Sequence, residues 1–164
     1  MHNTAVEVFL IRHAEAIDET LALRDPHRFL TPHGRAQAAQ LGERLRWHDC
    51  VPTHVLTSPL VRAVQTAELV VAALDDKVAL EVLADLAPGA PARAVVAALR
   101  ALPAGSRPLV VGHEPGLSAI AALLVGAEIA PLAKAEAVRV DGDRVRWRFA
   151  WNAEVPARDP DPAI

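Results

Sequence analysis

Two histidines and two arginines stand where their chemistry can combine. His13 follows the apolar run Val6–Ile11, with Arg12 beside it, and His113 follows Leu109–Gly112. A third stretch, His54–Thr57, leads into Ser58-Pro59 and then Arg62, in the first turn of a predicted helix. If the three stretches are parallel strands, their carboxyl ends converge and Arg12, His13, Arg62 and His113 line one pocket. Two guanidiniums can hold a phosphoryl group through bidentate, charge-assisted bonds. A neutral imidazole nitrogen can attack phosphorus in line, and positive neighbours lower its pKa and keep it neutral near pH 7. A second imidazole, as imidazolium, adds a donor to the equatorial oxygens, where phosphoryl transfer needs charge stabilised. No metal is required, and the sequence offers no ligand cluster for one. A lone Arg-His pair or a lone Gly-His is weak, because most are surface charges or hydrogen-bonded structural histidines. The inference rests on all four residues at equivalent strand ends.

The elements that must position them alternate strand and helix. Strands are predicted at Val6–Ile11, His54–Thr57, Lys77–Leu83 and Pro108–Gly112, and a hairpin at Ala137–Val140 and Arg144–Phe149 around Asp141-Gly142-Asp143. Helices are predicted at His33–Trp47, Leu60–Leu74, Ala92–Leu102 and Gly116–Val125. This order predicts an α/β three-layer sandwich, its central sheet mostly parallel and flanked by helices, with the hairpin adding antiparallel strands at one edge. Thr31-Pro32, Ser58-Pro59 and Glu114-Pro115 each place a polar residue before a proline, the pattern of an N-cap with Pro in the first turn. Helix N-termini suit anions, and ligands of open α/β sheets sit beyond the carboxyl ends of the strands.

The bulk numbers fit one domain. The 164 residues carry 52% apolar side chains and a formal charge of −3, with acids and bases interspersed. Residues 1–155 are read as a single domain, and 156–164, rich in Pro and Asp, as a mobile tail. There is no apolar run long enough for a membrane span and no basic block for nucleic acid or a membrane surface. The N-terminus lacks the basic segment and cleavage site of a signal peptide. Cys50, the lone cysteine, excludes an intramolecular disulfide and a multi-Cys metal site, and reads as a buried small apolar residue. A cytoplasmic protein is expected. Trp47, Trp147 and Trp151 read as packing residues. His2, His27, His48 and His54 read as structural or solvent-exposed, and His33 as a neighbour of the site.

At this point a family resemblance is visible. Leu10-Ile11-Arg12-His13-Ala14-Glu15-Ala16 resembles the Arg-His-Gly motif that opens the histidine phosphatase superfamily, also called phosphoglycerate mutase-like. Leu30-Thr31-Pro32-His33-Gly34-Arg35-Ala36-Gln37-Ala38 resembles its Leu-Thr-x-x-Gly-x-x-Gln-Ala helix start. Ser58 to Ala67 resembles its Ser-x-x-x-Arg-Ala-x-Gln-Thr-Ala segment, and Val110 to Pro115 its second-histidine motif. The motifs occur in family order and span roughly residues 6 to 150. The short chain resembles the SixA branch of small phosphohistidine phosphatases.

The resemblance implies roles. His13 is the nucleophile, and Arg12, Arg62 and His113 hold the phosphoryl oxygens. Arg28, just before the Leu-Thr motif, is a candidate third guanidinium. Asp85 falls where many members carry an acidic proton donor, usually Glu. Glu15 and Glu114 read as loop charges, Glu114 also as a possible N-cap. Two departures stand out. Ala14 replaces the usual Gly, which permits a backbone that Ala resists, and Asp85 is one carbon shorter than Glu. A weak acid favours a phosphoramidate over a phosphomonoester, since imidazole leaves more readily than an alkoxide.

The expected activity is therefore a cofactor-free phosphatase, with a phosphohistidine-bearing protein as first substrate and a small phosphate ester as the alternative. The alternative of another class is a non-catalytic phosphate-binding or interaction module. The intact set of Arg12, His13, Arg62 and His113 weighs against that module.

Overall fold

The computed structural model describes residues 6–75 and 77–158. The strands are β1 (Glu7–Arg12), β2 (His54–Thr57), β3 (Leu80–Val82), β4 (Pro108–Gly112), β5 (Glu136–Asp141) and β6 (Arg144–Ala150). The helices are α1 (Pro32–Arg46), α2 (Val61–Leu74), α3 (Ala92–Arg100) and α4 (Gly116–Val125). They build one six-stranded sheet in the order β3-β2-β4-β1-β5-β6. β1 to β4 are parallel, and β5 and β6 are the antiparallel hairpin at one edge, as expected.

Burial explains the two unbroken apolar runs. Val8–Ile11 of β1 and all of β4 are buried, because helices cover both faces of the sheet at its centre. Side chains alternate between faces. Phe9, Ile11, Leu109 and Val111 point to a core shared with α1 and α2, which includes Leu41, Leu45 and Val70. Val8, Leu10 and Val110 point to a second core with Val95 and Leu99 of α3 and Ile120 of α4. The layers are thus helix, sheet, helix. α1 and α2 cross closely at Gly42, where an added Cβ would stand 2.6 Å from the Ala73 Cβ and 2.8 Å from the Val70 carbonyl oxygen.

Several boundaries move. The strand expected over Lys77–Leu83 pairs only at Leu80–Val82, because it is an edge strand with β2 as its sole neighbour and is largely exposed. The helix expected to run to Leu102 ends at Arg100, just before Pro103. Cys50 and Trp147 are buried and Trp151 packs against the first core, but Trp47 is 79% exposed, with the Arg46 guanidinium over its ring. Trp47 lies at the C-terminal cap of α1, beyond the face that meets the sheet. Ala157 pairs with Arg148 of β6, so the chain is tied back to the sheet at that point, and residues 159–164 of the expected tail lie outside the described residues. Among the described residues no helix is long and apolar enough to cross a membrane.

Candidate active site

Strand register brings the site together. Thr57, Val111 and Ile11 lie side by side across β2, β4 and β1. The ladder continues past the strand ends: His13 N–H donates to the Gly112 carbonyl (3.1 Å) and Ser58 N–H to the Val111 carbonyl (3.0 Å). Arg12, His13, Ser58 and His113 therefore leave the sheet at one level. The two imidazole centroids are 5.1 Å apart. Arg62 enters from the first turn of α2, is buried, and its Nε–H donates to His13 Nε2 at 3.3 Å.

These contacts fix the state of His13. Its Nδ1 lies 2.8 Å from the Ala14 carbonyl oxygen, which can only accept, so Nδ1 carries the proton. Arg62 Nε can only donate, so His13 Nε2 carries the lone pair. Burial lowers the His13 pKa to about 3; the Ala14 bond opposes this, and His113, Arg62 and Arg12 add to it. The ring is neutral at pH 7, as expected, but burial outranks the cations as the cause.

His113 is held by Ser58. Its Nε2 lies 2.7 Å from Ser58 Oγ, and that oxygen accepts from Leu60 N–H at 3.2 Å. Ser58 thus ties down the chain ahead of α2, but the N-cap position itself is Leu60, not Ser58. His113 Nδ1 is buried without a partner among the described residues. Burial first, then Arg62, pushes the His113 pKa down to about 4. The ring is thus neutral at pH 7, not the expected imidazolium. An arriving dianion raises both imidazoles again.

Arg12 is half-buried at the end of β1. Its Nη1 donates to the Leu132 carbonyl at 3.0 Å, while its Nε is buried and unpartnered among the described residues. The loop that carries Leu132 is pinned from β6. Arg148 donates to the Ala130 and Pro131 carbonyls (2.8 and 2.9 Å) and to Glu136 (2.7 Å), and Ala135 N–H donates back to the Arg12 carbonyl (3.1 Å). Sequence reasoning missed Arg148, since only the ladder of β5 with β6 brings it there.

It also missed Asp25. This residue opens a 3-10 turn, Asp25–His27, and bridges two arginines. Arg28 Nη1 donates to Asp25 Oδ1 (2.9 Å) while Arg28 Nε donates to the Ile17 carbonyl (2.6 Å). Arg62 donates to the Asp25 carbonyl (2.9 Å) and to its Oδ2 (3.4 Å). The Arg28 hydrogen bond and the charge of Arg62 hold the Asp25 carboxyl below its ordinary range. Arg28 thus joins the site through Asp25. The local sequence offered only a polar loop, and the arrival of Arg62 gives the carboxylate its use.

The remaining candidates sort by contact. Asp85 is exposed, in the 3-10 turn Ala84–Leu86, and lines a cavity with His113. The Glu15 carboxylate accepts from Thr31 Oγ (3.1 Å), which itself caps α1 by accepting from Gly34 N–H. The Glu114 carboxylate accepts from Ser118 N–H and Oγ–H in the first turn of α4. His33 meets Gln37 and the edge of Trp151.

Ala14 is fully buried and its N–H donates to Thr66 Oγ (3.1 Å). Among described non-glycine residues the left-handed backbone occurs only at Asp49, Asp75 and Ala135, so Ala14 meets no conformational penalty. Gln37 and Gln65, motif residues of the helices, accept from Glu15 N–H and Leu30 N–H. They hold the loops around the site. Gly34 is required by close approach: a Cβ there would collide with the Glu15 carbonyl. Among the described residues no three His, Cys, Asp or Glu side chains are grouped to hold a metal ion.

This fold, with paired imidazoles at the ends of adjacent strands and an arginine on the first, defines a class. The model of the histidine phosphatase superfamily (branch 1) matches residues 8–87. The chain belongs to that superfamily and is an enzyme of its SixA-like kind. The structure of the protein histidine phosphatase SixA complexed with tungstate superposes with a TM-score of 0.81 at 27% identity, over 89% of this chain and 97% of that one. An uncharacterised protein of Picosynechococcus sp. is 33% identical over 68% of each chain. The mitochondrial serine/threonine-protein phosphatase Pgam5 of Drosophila virilis is 37% identical over 54% of this chain, and the match spans 30% of that longer protein.

Proposed function

We propose that the chain is a metal-independent phosphatase, working as one domain, that transfers a phosphoryl group to His13 and then to water. The observation that carries this reading is the His13 tautomer. Nδ1–H is locked to the Ala14 carbonyl, so the Nε2 lone pair faces Arg62 beside His113. On substrate binding, Arg62 Nε–H passes from that lone pair to a phosphoryl oxygen. Arg12 Nε–H, without a partner among the described residues, is a donor available to another oxygen, and so is His113 Nδ1 once the bound dianion has raised that ring's pKa and protonated it. A bond then forms from Nε2 to phosphorus as the bond to the leaving group breaks, and the leaving group takes a proton from Asp85 or solvent. Water attacks the phosphohistidine in the second displacement, inorganic phosphate leaves, and Nε2 regains its lone pair. Arg28, through Asp25, steadies Arg62.

The preferred substrate is a protein-borne phosphohistidine in a cytoplasmic setting. A short, exposed acid such as Asp85 suits a leaving imidazole better than an alkoxide. The SixA structure, from a protein histidine phosphatase, holds tungstate, a tetrahedral oxyanion like the phosphoryl group.

The test is release of phosphate, in EDTA, from a phosphohistidine peptide and from matched phosphoserine and phosphotyrosine peptides. Release from phosphohistidine that EDTA spares and His13→Ala abolishes is the expected result. Equal rates on phosphoserine overturn the substrate preference, and turnover that survives His13→Ala overturns the mechanism.

A further inference from the structure

Beside the phosphoryl site lies a cavity of about 330 Å³ that has His113 in its lining. It runs between the turn after β3 and the first turns of α4. Leu86, Val95, Leu117 and Ile120 form an apolar wall. Its charged lining residues are Asp85 and Glu114, and among the described residues no lysine or arginine lines it. The sign of the charge thus reverses across His113. Arg12 and Arg62 stand on the phosphoryl side, and two acids stand on the other.

We infer that this cavity receives the leaving-group side of the substrate, and that it selects an apolar body that is neutral or cationic and rejects one that is anionic. This rests on the phosphatase reading and adds the substrate class. The volume lies at the lower end for a small-molecule pocket and exceeds what an imidazole or phenyl ring alone needs. A phosphorylated ring together with part of its neighbouring chain fills it. A small polar alcohol leaves the apolar wall wet. A carboxylate or second phosphate in the cavity meets like charges with no cation to pair it.

Phosphonates test this without turnover, because their P–C bond is not hydrolysed. Binding of ethyl-, benzyl-, 4-(aminomethyl)benzyl- and 4-carboxybenzylphosphonate is measured by calorimetry on the full chain. Benzylphosphonate is expected to bind about tenfold tighter than ethylphosphonate, from burial of the ring. The aminomethyl compound should bind at least as tightly as benzyl, and the carboxy compound about tenfold more weakly than benzyl.

Ala119 is exposed and lines the cavity, so Ala119→Trp fills it from the surface. That variant should bring benzyl- down to ethylphosphonate affinity and leave ethylphosphonate unchanged; Ala119→Leu is the smaller step should the larger one misfold. Equal affinity for benzyl and ethyl, a preference for the carboxy compound, or no binding at all overturns the inference. So does a benzyl preference that Ala119→Trp and Ala119→Leu both leave intact. A chain that binds in the expected order but hydrolyses nothing keeps the cavity and loses the phosphatase reading. A chain that hydrolyses phosphohistidine but does not rank the phosphonates does the reverse.

Discussion

At the amino ends of the parallel strands, Arg107 and Arg139 share the Glu7 carboxylate at 2.8 and 2.9 Å and both lie over the Phe9 ring. Asp49 lies against Arg107, and Asp141 against Arg139. At the carboxyl ends, Arg12 has a single backbone carbonyl as its hydrogen-bond acceptor among the described residues, and Arg28 and Arg62 divide one carboxylate, Asp25. The same residue type does two jobs. Where acids match the guanidiniums, the cluster closes the end of the sheet. Where guanidiniums outnumber the acids paired with them, beside two neutral imidazoles, the arrangement suits an anion. An unpartnered nitrogen does not by itself tell the two ends apart, because among the described residues Arg107 Nε lacks a partner as well as Arg12 Nε. The ratio of paired acids to guanidiniums does.

Substitutions at the two ends should therefore separate activity from stability. The largest effect is expected from His13→Ala, about 10⁴-fold or more in kcat on a phosphohistidine peptide. Next, Arg12→Ala and Arg62→Ala should each lower kcat/KM by about 10²- to 10³-fold, the scale for removing a charge-stabilising donor. Arg62→Lys should restore little, since the planar fork is lost. Steady-state kinetics checks both. If Glu7→Gln at the opposite end lowered kcat/KM equally, the comparison would fail.

The imidazoles also give the active end a pH signature. Both folded pKa values are depressed, to about 3 and about 4, from an ordinary 6.5. The unfolded chain therefore binds more protons than the folded one between those limits, and stability falls as pH drops below about 6.5. From pH 7 to 5 each ring should cost about 2 kcal/mol. Urea midpoints of the His13→Gln and His113→Gln variants should fall less steeply over this range than those of the parent chain. Equal slopes would place the imidazoles in water-like surroundings.

The smallest effects sharpen the contrast. Arg148→Met frees the loop that offers Leu132 to Arg12, so kcat/KM should drop about tenfold, the scale of one or two hydrogen bonds. Glu7→Gln should cost about 1 kcal/mol in a urea titration and leave kcat/KM within about twofold. An Arg148→Met variant of unchanged activity would remove Arg148 from the positioning of Arg12.

The sequence carried the centre of the site because that centre is local. His13 and His113 each end an apolar run buried on both faces, and such runs are recognisable without knowing what they pack against. Arg62 follows from the helix start next to His54–Thr57. What escaped is non-local or marginal. Asp25 sits in a turn whose residues read as a polar loop, and Arg148 sits on a strand whose partner loop lies between α4 and β5. The edge strand β3 is shorter than its hydropathy predicts, because hydropathy does not register how few neighbours a strand has. Ala14 fits where Gly is usual because the turn it occupies lies outside the left-handed region.

The central claim is a covalent bond between phosphorus and His13 Nε2. Rapid quenching of the chain with a phosphohistidine peptide, then peptide mass spectrometry under alkaline conditions, tests it directly. The expected result is an acid-labile, base-stable phosphate on the peptide that holds His13, formed within a turnover and absent in His13→Ala. Full turnover with His13 never phosphorylated, or phosphate found on another residue, would contradict it.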